Sequence, residues 1–521
     1  MDSSTSYNDI PLRVQPSKLS TGSVDRLSTS IDAYSLSEQA SSPANNVLAD
    51  APLERRLGLW SGMAIVMGSI IGSGIFSTPS LILGSVGSVG MSIVVWVIGA
   101  VVSLCGCAAY MELGTMLPKG GGEKAYLEAA FPRPRALLGF VFCLASILVC
   151  YPTGLAADAV VTGSYLLYAI TGDATGHSVW AERAIGVGVT ALCALMHACV
   201  AKTAIRTQGL LTVVKALLLL LVVIVGLLNM GKGGLGGSSN VFAGTSTNAN
   251  DYASALFKVF FAYSGYTALN YAVDELKRPE KTLPRAALGG LSLTAMLYVL
   301  SNVAYFAVLD VQTIGASGTT VAGVFFTKAL GAVWGQRIVP VLIALATFGN
   351  VMCGVFAASR VVFAAARDGY LPWDHLWGSV SQRFATPVWA LGATWALITV
   401  YIVLPPPGEA YALLIDVGGY PFWVFSGLAV IGLVRMRSTH RGLARPFRAW
   451  MPVNVVSIAA AVFMCVVPFV KPSDAESMKV PYWVAPVTGV VFIAASCGLW
   501  YVKMVLLDRV EYHKQISEDQ I

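Results

Sequence analysis

From about residue 58 onward the chain consists of long apolar runs separated by short polar segments. A run such as 216–228 shows neither the alternation of a half-buried strand nor the polar stripe of a surface helix. A helix needs roughly 20 apolar residues to cross a hydrocarbon core of about 30 Å. Twelve segments meet that length when tilt and breaks are allowed: 58–83, 89–117, 135–169, 183–201, 206–230, 253–276, 286–309, 337–366, 387–404, 411–434, 452–470 and 482–502. The third exceeds one straight crossing and is expected to tilt or to extend past the membrane. Residues 1–52, rich in Ser, Asp, Thr and Asn, predict a disordered tail with no signal peptide. Residues 504–521 predict a short C-terminal tail. The expected fold is an all-α polytopic membrane protein with twelve transmembrane helices.

Composition agrees and narrows the function. The chain is 56% hydrophobic and 12% charged, where a soluble domain carries roughly 25% charged residues. A net charge of +6 gives no case for nucleic acid as a partner. All nine cysteines fall inside apolar runs, at no metal-ligand spacing, so neither a disulfide framework nor a metal site is expected. No cofactor motif or nucleophile–base set appears, which argues against an enzyme. Neither a repeated pore loop nor charged rings appear, which argues against a channel.

Lysine and arginine set the expected orientation. With both termini in the cytoplasm, the inner loops hold eighteen basic residues and the outer loops six. A multi-pass protein, in the plasma membrane for preference, is expected in the lipid bilayer.

Two spans carry flexible residues at mid-depth. In span 1, Met67 to Pro79 contains three glycines, three serines and a proline. In span 6, Ser264-Gly265 follows Phe261. If 53–230 and 231–434 are two five-helix repeats, with 435–503 as helices 11 and 12, spans 1 and 6 correspond in halves of opposite orientation. Interrupted helices at matching places point to a transport site at the bilayer midplane, since unwound backbone is tolerated there only where it lines a cavity or is buried. The N–H groups of Ser73, Gly74 and Ile75, opening the second half-helix, suit a carboxylate. The carbonyls of Ile70 and Ile71, with others around Phe261, suit an ammonium. Donors on one side and acceptors on the other fit an α-amino acid zwitterion.

These residues resemble the L-type amino-acid transporter family of the amino acid–polyamine–organocation superfamily. Gly72-Ser73-Gly74-Ile75-Phe76 and Phe261-Ala262-Tyr263-Ser264-Gly265-Tyr266 are similar to its two breaks. Asp274-Glu275-Leu276-Lys277-Arg278-Pro279, Ala366-Arg367-Asp368-Gly369-Tyr370-Leu371-Pro372 and Arg445-Pro446-Phe447-Arg448 resemble its later motifs. Tyr110 to Thr115 and Pro118 to Glu128 look most like the fungal high-affinity methionine permeases. The resemblance implies a LeuT-like 5+5 inverted repeat with broken helices 1 and 6. It implies Phe261 as an aromatic gate, Trp423 as a pocket wall, and Ser146 and Ile147 beside the side-chain pocket. Phe261, Tyr266, Trp423, Ile147 and Cys150 would form an apolar wall suited to a thioether. Mammalian members of the family join a glycoprotein through a cysteine between spans 3 and 4. Residues 171–180 hold no cysteine, so no disulfide-linked subunit is expected and net uptake is favoured over obligatory exchange.

Lys215 lies nine residues past Arg206, roughly 13 Å into span 5. Snorkelling is the plain alternative, and a charge held at that depth costs at least a few kcal/mol. The resemblance implies that its ammonium replaces a sodium ion, hence sodium-independent transport. Desolvation favours the neutral form of a lysine, so a proton is the expected coupling partner, with Lys215 as one candidate proton site. Asp158 in span 3 is the rival proton site, unless it is an exposed vestibule charge. Asp274 and Glu275 near Lys277 and Arg278, and Glu112 and Glu123 near Lys119 and Lys124, are expected to be surface pairs, some of them in a gate. His197 and Lys258 are expected to be packed or interfacial. The reading is a permease for a neutral amino acid, methionine first, in which spans 1, 2, 6 and 7 rock against spans 3, 4, 8 and 9. Its alternatives are a broad large-neutral permease or exchanger, and a non-transporting sensor.

Overall fold

The first apolar segment folds as two helices, not one. The structure, a computed structural model, describes residues 55, 57–118, 121–173, 178–230, 235–237, 240–384, 386–406, 410–471 and 480–507. The expected N-terminal tail and residues 508–521 of the C-terminal tail lie outside them. Helix α1 (Leu59–Ile70) and α2 (Gly74–Val86) meet at 45° across a short break. Then come α3 (Val89–Met116), α4 (Glu123–Ala130), α5 (Leu137–Thr171), α6 (Val179–Cys199) and α7 (Ala201–Asn229). The second half runs through α8 (Ala249–Ala262), α9 (Pro279–Val308), α10 (Val311–Ala316), α11 (Val321–Leu330), α12 (Val339–Arg367) and α13 (Asp374–Trp377). It continues with α14 (Val388–Val403), α15 (Ala410–Thr439), α16 (Met451–Val466) and α17 (Val484–Tyr501).

Among the described residues nine helical segments are long and apolar enough to cross a bilayer, and α1 with α2 make a tenth. Helices α8 and α14 stand where spans 6 and 9 are expected, but have only 14 and 16 residues. For α8 the cause is the break itself: the helix stops at Ala262, and Ala268–Glu275 continues as a tighter 3₁₀ turn. The third span is one long helix, Leu137–Thr171, with a π turn at Ser146–Cys150 that locally widens it.

Two groups of helices emerge from the packing. In one, α9 packs on α1 and α3, and α8 packs on α2 and α3. In the other, α5, α6, α12 and α14 pack mutually. Helix α7 touches α9 and α12, so it bridges the groups. Its sequence explains how: Leu211, Lys215, Leu218, Val222 and Val225 recur at helical spacing and are buried. Leu210, Val213, Leu217, Leu220, Ile224 and Leu227 form the opposite, exposed face, fit for lipid tails. Lys215 therefore lies on the inward stripe. Outside the spans, Asp310 caps α10 by accepting the Thr313 N–H at 3.2 Å and its hydroxyl at 2.7 Å. Those bonds, with Lys328, hold its carboxyl down to about 2.

Candidate functional site

The two breaks lie against each other. A Cβ on Gly74 would stand 2.5 Å from the Ala262 Cα, so only glycine lets α2 approach α8 this closely. Gly265, at φ +100°, lies where a Cβ would be 2.6 Å from the Ser69 carbonyl oxygen. Ile71, Ser73 and Ile75 are fully buried, so the broken backbone is enclosed by protein.

Four elements supply partners to the first break. From α5, Asp158 accepts the Ser73 N–H at 3.2 Å, and its same oxygen accepts the Ser73 hydroxyl. Its other oxygen accepts Asn350 Nδ2, from α12, at 2.7 Å. Lys215 Nζ donates to the Gly68 carbonyl at 3.0 Å and makes a longer 3.4 Å contact with Asn350 Oδ1. From α9, the Tyr298 hydroxyl donates to the Ile70 carbonyl at 3.0 Å. The Tyr411 hydroxyl, from α15, lies 3.3 Å from Ser73 Oγ. A polar chain thus runs from the Lys215 ammonium through Asn350 to the Asp158 carboxylate and Ser73.

This arrangement corrects several sequence expectations. Asp158 is not a vestibule charge; only 3% of it is exposed. Lys215 does not snorkel; it is buried and bonded to the end of α1. The Ser73 N–H is not free, because Asp158 takes it, while Gly74 and Ile75 in the first turn of α2 have no intrahelical acceptor. The Ile70 carbonyl already receives the Tyr298 hydroxyl, and Ile71, at φ −73° and ψ 92°, leaves the helix beyond it.

The second break is tied mostly to itself. The Phe261 carbonyl accepts the Ser264 N–H at 3.1 Å and the Ser264 hydroxyl at 2.6 Å, so this acceptor is capped locally. The Phe261 ring is half-buried and meets Tyr411 edge-on, with centroids 6.1 Å apart. Trp423 packs edge-on against Phe260, with centroids 4.5 Å apart. Tyr266 lies edge-on to Tyr110 of α3, with centroids 6.2 Å apart. Ser146 and Ile147 are buried in the π turn of α5, and Cys150 is half-buried at its end. Asn350, Tyr298 and Tyr411 were missed from the sequence. The available signal was a polar group alone at the middle of an apolar run, which is expensive without a partner.

A second polar cluster closes the basic end of the bundle. Glu112, fully buried on α3, accepts Arg437 Nε at 2.9 Å and a second Arg437 nitrogen. It also accepts the Ala449 N–H at 2.8 Å, with Arg445 Nε at 3.6 Å. The expected pairing of Glu112 with nearby lysines gives way to this one, since the arginine fork matches both carboxylate oxygens. Glu123 accepts the Tyr271 hydroxyl, and Lys124 pairs with Asp368 and, at 3.9 Å, with Glu128. Lys119 lies outside the described residues. The Glu275 carbonyl accepts the Leu57 N–H at 2.9 Å. His197 packs on Phe356 with Nε2 2.9 Å from the Met352 carbonyl oxygen, and Lys258 lies 3.8 Å from Asp416. Among the described residues no group of three His, Cys, Asp or Glu side chains could hold a metal ion.

A sequence profile described as amino acid permease matches residues 57–493. The chain is 31% identical to the high-affinity methionine permease of Saccharomyces cerevisiae, over 89% of this chain and 82% of that protein. It is 33% identical to the Asc-type amino acid transporter 1 of Mus musculus, over 80% and 77% respectively. To the cystine/glutamate transporter of Homo sapiens it is 31% identical, over 79% and 80%.

Proposed function

We propose, for a chain that belongs to the amino acid permease family, a secondary active importer of a neutral L-amino acid, with methionine as the favoured substrate. The observation that carries this is the abutment of the two breaks, Gly74 against Ala262 and Gly265 against Ser69. The α-carboxylate is taken by the first-turn N–H groups of α2, at Gly74 and Ile75, and the α-ammonium by carbonyls beside Ile71 and Phe261. Phe261 closes over the substrate, and its side chain lies toward Ile147. Methionine is supported by the similarity to a methionine permease and by the apolar, aromatic surroundings. Similarity to an Asc-type transporter supports a broad neutral-amino-acid permease or exchanger as the second reading.

Transport is sodium-independent in this reading, because the Lys215 ammonium already places a cation against the end of α1. A proton is the driving partner, carried within the cluster of Lys215, Asn350 and Asp158. The group α1, α2, α3, α8 and α9 rocks against α5, α6, α12 and α14, as their packing allows. The chain works in the plasma membrane with both termini in the cytoplasm and without a disulfide-linked subunit. Radiolabelled methionine uptake, in cells deprived of their own permeases, tests the reading with and without sodium and at several external pH values. The expected result is saturable accumulation that ignores sodium and rises as external pH falls. Binding without accumulation would identify a sensor, and strong competition by arginine alone would overturn the neutral-substrate assignment.

A further inference from the structure

The carboxylate seat at the first break is occupied from within. Asp158 brings one oxygen to both the N–H and the hydroxyl of Ser73, the residue that opens α2. That is the chemistry a substrate carboxylate would seek at the same place: a backbone donor at a helix N-terminus, with the partial positive charge behind it. The seat is enclosed by protein, since Ser73 is fully buried and Asp158 nearly so. A second carboxylate arriving at Gly74 and Ile75 would lie beside Asp158, one residue from the donor it holds. Like charges so close in a site enclosed by protein repel strongly.

We propose that Asp158 is a built-in stand-in for the substrate carboxylate, and that a proton must neutralise it before an amino acid can take the seat. The inference deepens the permease reading and rests on it. One proton moves onto an Asp158 oxygen, the Ser73 N–H is released to the incoming carboxylate, and the new carboxyl O–H becomes a donor to that carboxylate. At the seat itself the anion lost from Asp158 is replaced by the carboxylate of the zwitterion, and the loaded site carries one more positive charge, that of the co-transported proton. The groups facing Asp158 fit this exchange. Lys215, on α7, is the cation that acts on it and touches the shared Asn350. The phenols of Tyr298 on α9 and Tyr411 on α15 bound the site, bonded to Ile70 and adjacent to Ser73 respectively. Asn350 holds the second oxygen of Asp158 at 2.7 Å, so the side chain stays in place while its charge changes. With Asp158 ionised the seat is closed, which couples import to the proton gradient and prevents slippage of unaccompanied substrate.

The test is methionine binding to the purified full-length protein by calorimetry, at about pH 5.5 and about pH 7.5, with wild type expected to bind about tenfold or more weakly at the higher pH. In Asp158→Asn the affinity is expected to be the same at both pH values within about twofold, since nothing there remains to be neutralised. Proton uptake in weak buffer is expected to be about one per methionine bound by wild type near pH 7, and none for the variant. A variant that keeps the wild-type pH slope would overturn the proposal. So would a folded variant that no longer binds at any pH, because Asp158 would then be a ligand and not a competitor. If Asp158→Asn does not fold, Asp158→Ser, which removes both charge and reach, is read by the same outcomes. Wild-type binding that ignores pH removes this inference and leaves the permease standing; no binding of any neutral amino acid at either pH removes both.

Discussion

The two breaks of this protein meet in space but are held in different ways. The first is short, wholly buried, and fixed by side chains from four other elements: Asp158, Lys215, Tyr298 and Tyr411. The second is longer, partly exposed at Phe261 and Ser264, and closes its hydrogen bonds within the turn, from Ser264 to Phe261 and from Ala268 to Gly265. A break whose polar groups are bonded to its neighbours can shift against them only by exchanging those bonds. A break that satisfies itself can swing as a unit, at little cost to its surroundings. In the proposed permease the difference implies a division of labour: the first break is the more firmly held socket, and the second is the part freer to open and close over it.

The strongest way to break this comparison is at the contact between them. Gly74→Ala puts a methyl group 2.5 Å from the Ala262 backbone, which no rotamer can relieve. Overpacking of this kind costs about 1–3 kcal/mol, and a displacement of about 1 Å at a binding site costs about 100-fold in rate. Uptake is expected to fall by about 100-fold in cells where surface labelling still detects the protein. Gly84→Ala on the same helix is the control, because nothing lies within 4 Å of the added Cβ, and uptake there is expected to be unchanged. Normal transport by Gly74→Ala would mean that the breaks do not need to touch.

How much of this was legible in the chain depends on the range over which the interaction acts. Local composition marked the first break, since glycines, serines and Pro79 are concentrated there. It marked the second in position only, because no proline shows where α8 stops or that a 3₁₀ turn follows. Tyr266 belongs to the motif that marks the second break, but its edge-on contact with Tyr110, 156 residues earlier, has no local signature. Partners far along the chain were illegible. Asp158 is 85 residues from Ser73 and 192 from Asn350, and Glu112 finds Arg437 at a separation of 325. Nothing in sequence proximity distinguishes these from the nearer Lys119 and Lys124, which suit Glu112 by spacing alone.

A milder test sharpens the socket alone. Lys215→Met keeps the length and apolar stem of the side chain and removes the ammonium. The Gly68 carbonyl and Asn350 Oδ1 would then lose a buried donor. An unsatisfied buried acceptor costs about 1–3 kcal/mol, so a lower unfolding temperature and a loss of uptake of about tenfold or more are expected. Thermal unfolding of the purified variant and uptake normalised to surface protein check both. Unchanged stability would mean that Lys215 does not fix the end of α1, and the contrast between a held break and a self-contained one would weaken.

The smallest effect is expected at the second break. Ser264→Ala deletes the hydroxyl that donates to the Phe261 carbonyl at 2.6 Å, but the Ser264 N–H, at 3.1 Å from the same oxygen, remains. Because the acceptor keeps a donor, the loss is that of one ordinary hydrogen bond, about 0.5–1.5 kcal/mol. Part of even that is recovered, since Ser264 is only half-buried and water can reach the turn. If the turn moves as a unit, the substitution loosens it in the closed and open positions alike, and the difference between the two states hardly changes. Methionine uptake by Ser264→Ala is therefore expected within about threefold of wild type, with the same substrate preference. A loss matching that of Lys215→Met would show that the Ser264 hydroxyl is needed in only one of the two states. The second break would then be as firmly built into the site as the first, and the division between socket and gate would fail.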